Sequence, residues 1–155
     1  MIRLVALMLL ADGAGAFAQT APVRLTPPEI DSLAQLGPGA GTSGVPGTQS
    51  IVLSGDPAKP GPYTIEIRVP ARTRIAPHAH RDDRSAVVIS GDWYLAYGER
   101  PEPAGFKLLP AGSFYTEPAG APHYAMTGER PAVVYISGFG PTSTDHVEAA
   151  SAPRR

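Results

Sequence analysis

Three of the four histidines in this 155-residue chain have a spacing that suits chemistry. His78 and His80 lie in Pro77-His78-Ala79-His80-Arg81-Asp82-Asp83-Arg84, and His123 closes Glu117-Pro118-Ala119-Gly120-Ala121-Pro122-His123. In an extended strand alternate residues share a face, so His78 and His80 can present two imidazoles side by side. A third imidazole from another strand would complete a three-nitrogen metal site, facing inward if the strands wrap into a barrel. Such a site keeps positions open for water and ligand, as catalytic rather than closed structural centres do. Neutral imidazoles suit Zn, Fe(II), Cu or Ni and leave the ion's charge uncompensated, which favours an anionic substrate or bound hydroxide. The weight falls on the context of His123, because a lone H-x-H is common on solvent-facing strands. His146 lies past these segments and reads as a surface residue.

The elements that must position the histidines read as short strands. Tyr63 to Val69 alternates most clearly, with Tyr63, Ile65, Ile67 and Val69 on one face and Thr64, Glu66 and Arg68 on a wet one. Further strands are expected at 50–53, 72–80, 85–90, 93–97, 106–109, 113–116, 123–127 and 132–137, with an edge strand near 145–147. Trp93, Tyr97, Tyr115, Tyr124 and Met126 read as core, and Tyr124, next to His123, should point away from the metal. Thr26 to Gly37 reads as one short helix, capped by Thr26 and Glu29 and apolar along Ile30, Leu33 and Leu36. The Gly/Pro-rich stretch 37–47 reads as a mobile loop, or else as a flap over a pocket. Many short strands with Gly/Pro turns (17 Gly and 18 Pro) indicate an all-β sandwich or barrel.

Composition limits the partners. A formal charge of −1 with both signs dispersed offers no footprint for nucleic acid. Arg3, the apolar run Leu4 to Ala11 and the small-x-small Ala16-Phe17-Ala18 read as an export signal over 1–18. That run is far short of the ~20 apolar residues that span a bilayer, so no membrane association is expected once the signal is removed. The expected location is periplasmic or secreted. With no cysteine, the exported domain must be stabilised by burial alone.

His78, His80 and Gly91, followed by Gly112-x5-Pro118-x-Gly120-x2-His123, resemble the two motifs of the cupin superfamily, G-x5-H-x-H-x3,4-E-x6-G and G-x5-P-x-G-x2-H-x3-N. The run Gly55-Asp56-Pro57-Ala58-Lys59-Pro60-Gly61-Pro62-Tyr63 is similar to one in small, exported single-domain cupins. The resemblance implies a cupin-type barrel (double-stranded β-helix, or jelly roll) over 50–140, after a helix and flexible loop at 19–49 and before an edge strand and tail at 141–155. It also implies one divalent ion (Zn, Fe(II), Ni, Cu or Mn) on His78, His80 and His123, a small-molecule ligand, and homodimers paired through edge strands.

Three positions depart from the motifs. Arg72 replaces the first glycine, Thr127 the asparagine, and Arg84 the glutamate that the resemblance implies as a fourth ligand. Arginine cannot coordinate a cation. Three arrangements stay open. The three histidines can hold an ion alone, Asp82 or Asp83 can swing in as a replacement carboxylate, or the site is metal-free with Arg84 filling the mouth and pairing with Asp82 or Asp83. Arg84 is either a clamp for a substrate carboxylate or half of a solvated ion pair. The expected function is a mononuclear metal enzyme, dioxygenase- or hydrolase/isomerase-like, acting on a small polar organic substrate. The rival is a non-catalytic sensor or binding module for a metal or small ligand, and a third reading is a degenerate barrel kept as an interaction domain.

Overall fold

The structure, a computed structural model, describes residues 21–39 and 41–148. The export signal expected at 1–18 lies outside them, as does the end of the tail. Among the described residues, no helix is long and apolar enough to cross a membrane.

Among the described residues, ten strands form two five-stranded antiparallel sheets: β1 (Gln49–Ser54), β2 (Gly61–Val69), β3 (Arg74–Ala79), β4 (Arg84–Ser90), β5 (Trp93–Tyr97), β6 (Lys107–Leu109), β7 (Phe114–Glu117), β8 (His123–Thr127), β9 (Ala132–Gly140) and β10 (Asp145–His146). One sheet runs β1-β2-β9-β4-β7 and the other β10-β3-β8-β5-β6. This is the jelly-roll barrel expected from the sequence. Alternation places Tyr63, Ile65, Ile67 and Val69 of β2 in the core with Ile75, Val88, Leu95, Val134 and Ile136. Each such aliphatic side chain contributes roughly 1.5–3 kcal/mol by leaving water. The outward face of β2 is drier than expected. Glu66 is buried beside Arg68, whose other nitrogen reaches Asp31 at 2.6 Å.

Turn chemistry explains two of the motif positions. Arg72 occupies the place of the first glycine with φ +56°, the left-handed conformation that glycine adopts without cost. Its N–H donates to Gly128 and its guanidinium meets Glu129, which holds the turn. Gly120 (φ +71°) lets the second motif turn back so that its N–H donates to the carbonyl of His80 at 2.8 Å. The two motifs are therefore tied by backbone.

The N-terminal region differs from its reading. The helix α1 (Pro27–Asp31) is shorter than Thr26 to Gly37. Thr26 and Glu29 do cap it, the N–H and hydroxyl of Thr26 both donating to Glu29 at 2.7 Å. It stops because only Ile30 of its apolar edge is buried, while the backbone of Leu36 pairs with Ser50. Part of the stretch expected as a mobile loop, or else a flap, is packed: Gly41, Thr42 and Ser43 are buried, and the Thr42 carbonyl accepts the Thr144 hydroxyl at 2.6 Å.

Candidate metal centre

The structure brings His78, His80 and His123 together. His78 on β3 lies directly opposite His123 on β8, and His80 follows one residue beyond the end of β3. Ring centroids are 4.9 Å apart for His78–His80, 4.5 Å for His78–His123 and 5.2 Å for His80–His123. Their exposures are 4%, 1% and 2%, so all three rings are inside the barrel.

Each ring is held by its Nδ1. The partners are the carbonyls of Ala76 for His78 (2.8 Å), Ser143 for His80 (2.6 Å) and Ala121 for His123 (3.2 Å). A carbonyl only accepts, so each Nδ1 carries the proton and each Nε2 keeps its lone pair. Nε2 of His80 and of His123 are buried with no hydrogen-bond partner among the described residues. A ligand atom of each of the three residues lies within 4.8 Å of the others. Donors 2.0–2.1 Å from one ion stand at most about 4.2 Å apart, so a small side-chain adjustment closes the triad on an ion. The residues fit a divalent metal.

The electrostatics favour the ligating form. Burial, reinforced by the neighbouring His123, lowers the His78 pKa from 6.5 to about 4. Burial and then the Arg84 charge lower His80 to about 3. Burial also lowers His123, against the opposing pull of Glu117. All three are neutral at physiological pH, as metal ligands must be.

Glu117, which the sequence reading did not single out, is the carboxylate beside this triad. It lies on β7 opposite Arg84 on β4, and both are buried, at 3% and 4% exposure. Arg84 Nε donates to Oε2 at 2.6 Å and Nη2 reaches the same oxygen. Oε1 lies 3.5 Å from His123 Nε2, and Oε2 lies 3.7 Å from His80 Nε2. Burial alone would raise the Glu117 pKa, but Arg84 first, with His123 and His80, holds it at about 2. The same opposition raises Arg84, where burial would lower it and Glu117 prevails. The signal that could have found Glu117 is parity, since Tyr115 and Glu117 share the inward face once the strand is extended past Thr116.

The other candidates are placed differently from their readings. Arg84 is not solvated and pairs with neither Asp82 nor Asp83. Its Nη1 donates to the Gly41 carbonyl at 2.9 Å, so the packed N-terminal segment seals it in. Asp82 is not beside the imidazoles. Its oxygens accept the hydroxyls of Tyr63 (2.8 Å) and Thr142 (2.5 Å). Asp83 accepts the Ala119 N–H at 2.8 Å and braces the turn before His123. His146, read as a surface residue, is half-buried and pairs in register with His78, its ring 5.8 Å from that of His78. Tyr124, by contrast, lies as expected, pointing away from the triad and accepting the Glu102 N–H at 3.0 Å.

The interior is small. A cavity of ≈ 30 Å³ is lined by His78, Arg84, Trp93, Tyr115, Glu117 and His123 among others. That holds water or a diatomic molecule, whereas pockets for organic ligands run to about 300 Å³ and more.

No family model matches the sequence, and no curated protein matches it. Solved structures do resemble it in fold. An RmlC-like cupin from Shewanella frigidimarina aligns over 78% of this chain and 93% of its own, with TM-score 0.57 and 15% identity. The polyketide cyclase RemF from Streptomyces resistomycificus aligns over 86% and 90%, with TM-score 0.65 and 17% identity. A salicylate 1,2-dioxygenase variant from Pseudoaminobacter salicylatoxidans aligns over 64% of this chain and 30% of its own, with TM-score 0.52 and 15% identity. Identities this low speak to architecture alone.

Proposed function

Starting from a chain that carries the cupin fold, we propose that it binds one divalent ion through His78, His80 and His123 and works as a mononuclear metal enzyme. The observation that carries this is the set of three buried imidazoles, each with Nδ1 donated to a carbonyl and Nε2 free to coordinate. When bound, the ion supplies Lewis acidity for water activation or, if redox-active, a centre for O2 chemistry. The chain's own part is to hold the three nitrogens deprotonated, keep bulk water out and set the charge around the open positions. The neutral Arg84–Glu117 pair and neutral imidazoles do not offset a dication, which favours a small anionic or strongly polar reactant. Export to the periplasm or beyond belongs to the same proposal and rests on residues 1–18.

The ≈ 30 Å³ cavity favours a second reading, a binding or sensing module whose ion meets only small ligands. Gly41 and Ser43 are among the residues that line the cavity.

Metal content of protein purified without a histidine tag tests the proposal. About one equivalent of a divalent metal, lost on His80→Ala, is expected. Protein that takes up no divalent metal would overturn it. On metal-loaded protein, fast-exchanging water seen by proton relaxation supports catalysis, and its absence supports the sensing module.

A further inference from the structure

We infer that Glu117 is a fourth ligand to the metal, supplied from β7 because β4 carries an arginine at the position facing it. The inference rests on the proposed three-histidine site. Arg84 and Glu117 are a cross-strand pair, so either position projects a side chain into the same end of the barrel. Arg84 holds Oε2 through two nitrogens, which orients the carboxylate and leaves Oε1 on the side of His123. Donors 2.0–2.2 Å from one ion are no more than about 4.4 Å apart, and Oε1 lies inside that limit of His123 at 3.5 Å, while the 3.7 Å contact to His80 is made by Oε2, the oxygen that Arg84 holds. A carboxylate turned toward the metal by a second hydrogen-bonded partner is how outer-shell groups tune a site, so Arg84 is the positioning residue.

A purely structural role for the pair predicts something different. If Glu117 only neutralises Arg84, removing both charges together leaves metal binding intact or improves it, because no charge is left buried alone. The test compares Co(II) affinity and visible absorption of the wild type with the double variant Arg84→Met/Glu117→Gln, each shown to be folded by circular dichroism. As a ligand, Glu117 makes the double variant bind Co(II) about 100-fold more weakly and changes the absorption band. Binding within threefold of wild type, with the same band, would overturn the inference. A second measurement needs no variant. Infrared difference spectra of Zn(II)-loaded against metal-free wild type should show a shifted carboxylate stretch, and spectra without one would also overturn it. Wild type that binds no ion overturns the three-histidine reading itself, a result distinct from a variant that binds as well as wild type.

Discussion

Arg84 and Glu117 stand directly opposite each other on β4 and β7, both buried and joined through the same carboxylate oxygen. Breaking a buried pair leaves one charge in a medium that cannot solvate it. In metal-free protein, Arg84→Met alone should lower unfolding stability by about 3–5 kcal/mol. Arg84→Met/Glu117→Met should be near wild type or above it, because no lone charge remains. Urea titrations of the two variants decide this. A double variant that loses more than Arg84→Met alone would overturn the reading of the two as a buried pair.

Acid should destabilise the metal-free protein well before its carboxylates titrate. Unfolded imidazoles take up protons near pH 6.5, whereas folded His78 does so at about 4 and His80 at about 3. The unfolded state therefore binds more protons below pH 6.5, and stability falls as pH drops from there toward 3. Glu117 adds to the fall at lower pH, since its contribution is present above 4.5 and lost as pH drops through about 2. Denaturation midpoints measured from pH 7 to 4 should decrease throughout. A flat profile would mean that the imidazoles take up protons alike in the folded and unfolded chains.

The same shifts set the proton count of metal uptake. At pH 6 three ordinary imidazoles would release about two protons on binding an ion. Here the release should be less than one, because the rings are already neutral. Calorimetry of Zn(II) binding in two buffers of different ionisation enthalpy measures it directly.

Metal should stabilise the fold by mass action. A free ion concentration 100 times its dissociation constant should add about 2.7 kcal/mol to unfolding stability. His123→Ala should abolish that gain, while His146→Ala should leave most of it, since His146 faces His78 from outside the triad. Thermal melts with and without Zn(II) compare the three proteins.

Asp82 gives a control of opposite character. Its oxygens accept the Tyr63 and Thr142 hydroxyls, so Asp82→Asn should cost about 1–3 kcal/mol of stability. It should change metal affinity by less than about twofold. A large loss of affinity would return Asp82 to the list of ligands.

Much of this was legible from local patterns. The two-residue step from His78 to His80, the inward alternation of β2 and the Pro118–Gly120 turn before His123 follow from strand periodicity and glycine's freedom at positive φ. Those are short-range properties, carried by each segment wherever it is placed. The short α1 was less legible, because Leu33 and Leu36 continue an apolar edge that finds no core. What pairs with Leu36 is the backbone of Ser50.

The sequence by itself therefore determined an all-β barrel with three histidines poised to meet. Only the tertiary structure decided what surrounds them. Strand β7 lies against β4 with Glu117 facing Arg84, and Gly41 comes back to cover the guanidinium. The physical reason is that the energy of a buried charge depends on which partner stands within a few ångströms, and that is a matter of strand register. Read along the chain, Arg84 belongs with its aspartate neighbours. In the folded barrel it belongs with a glutamate from another strand.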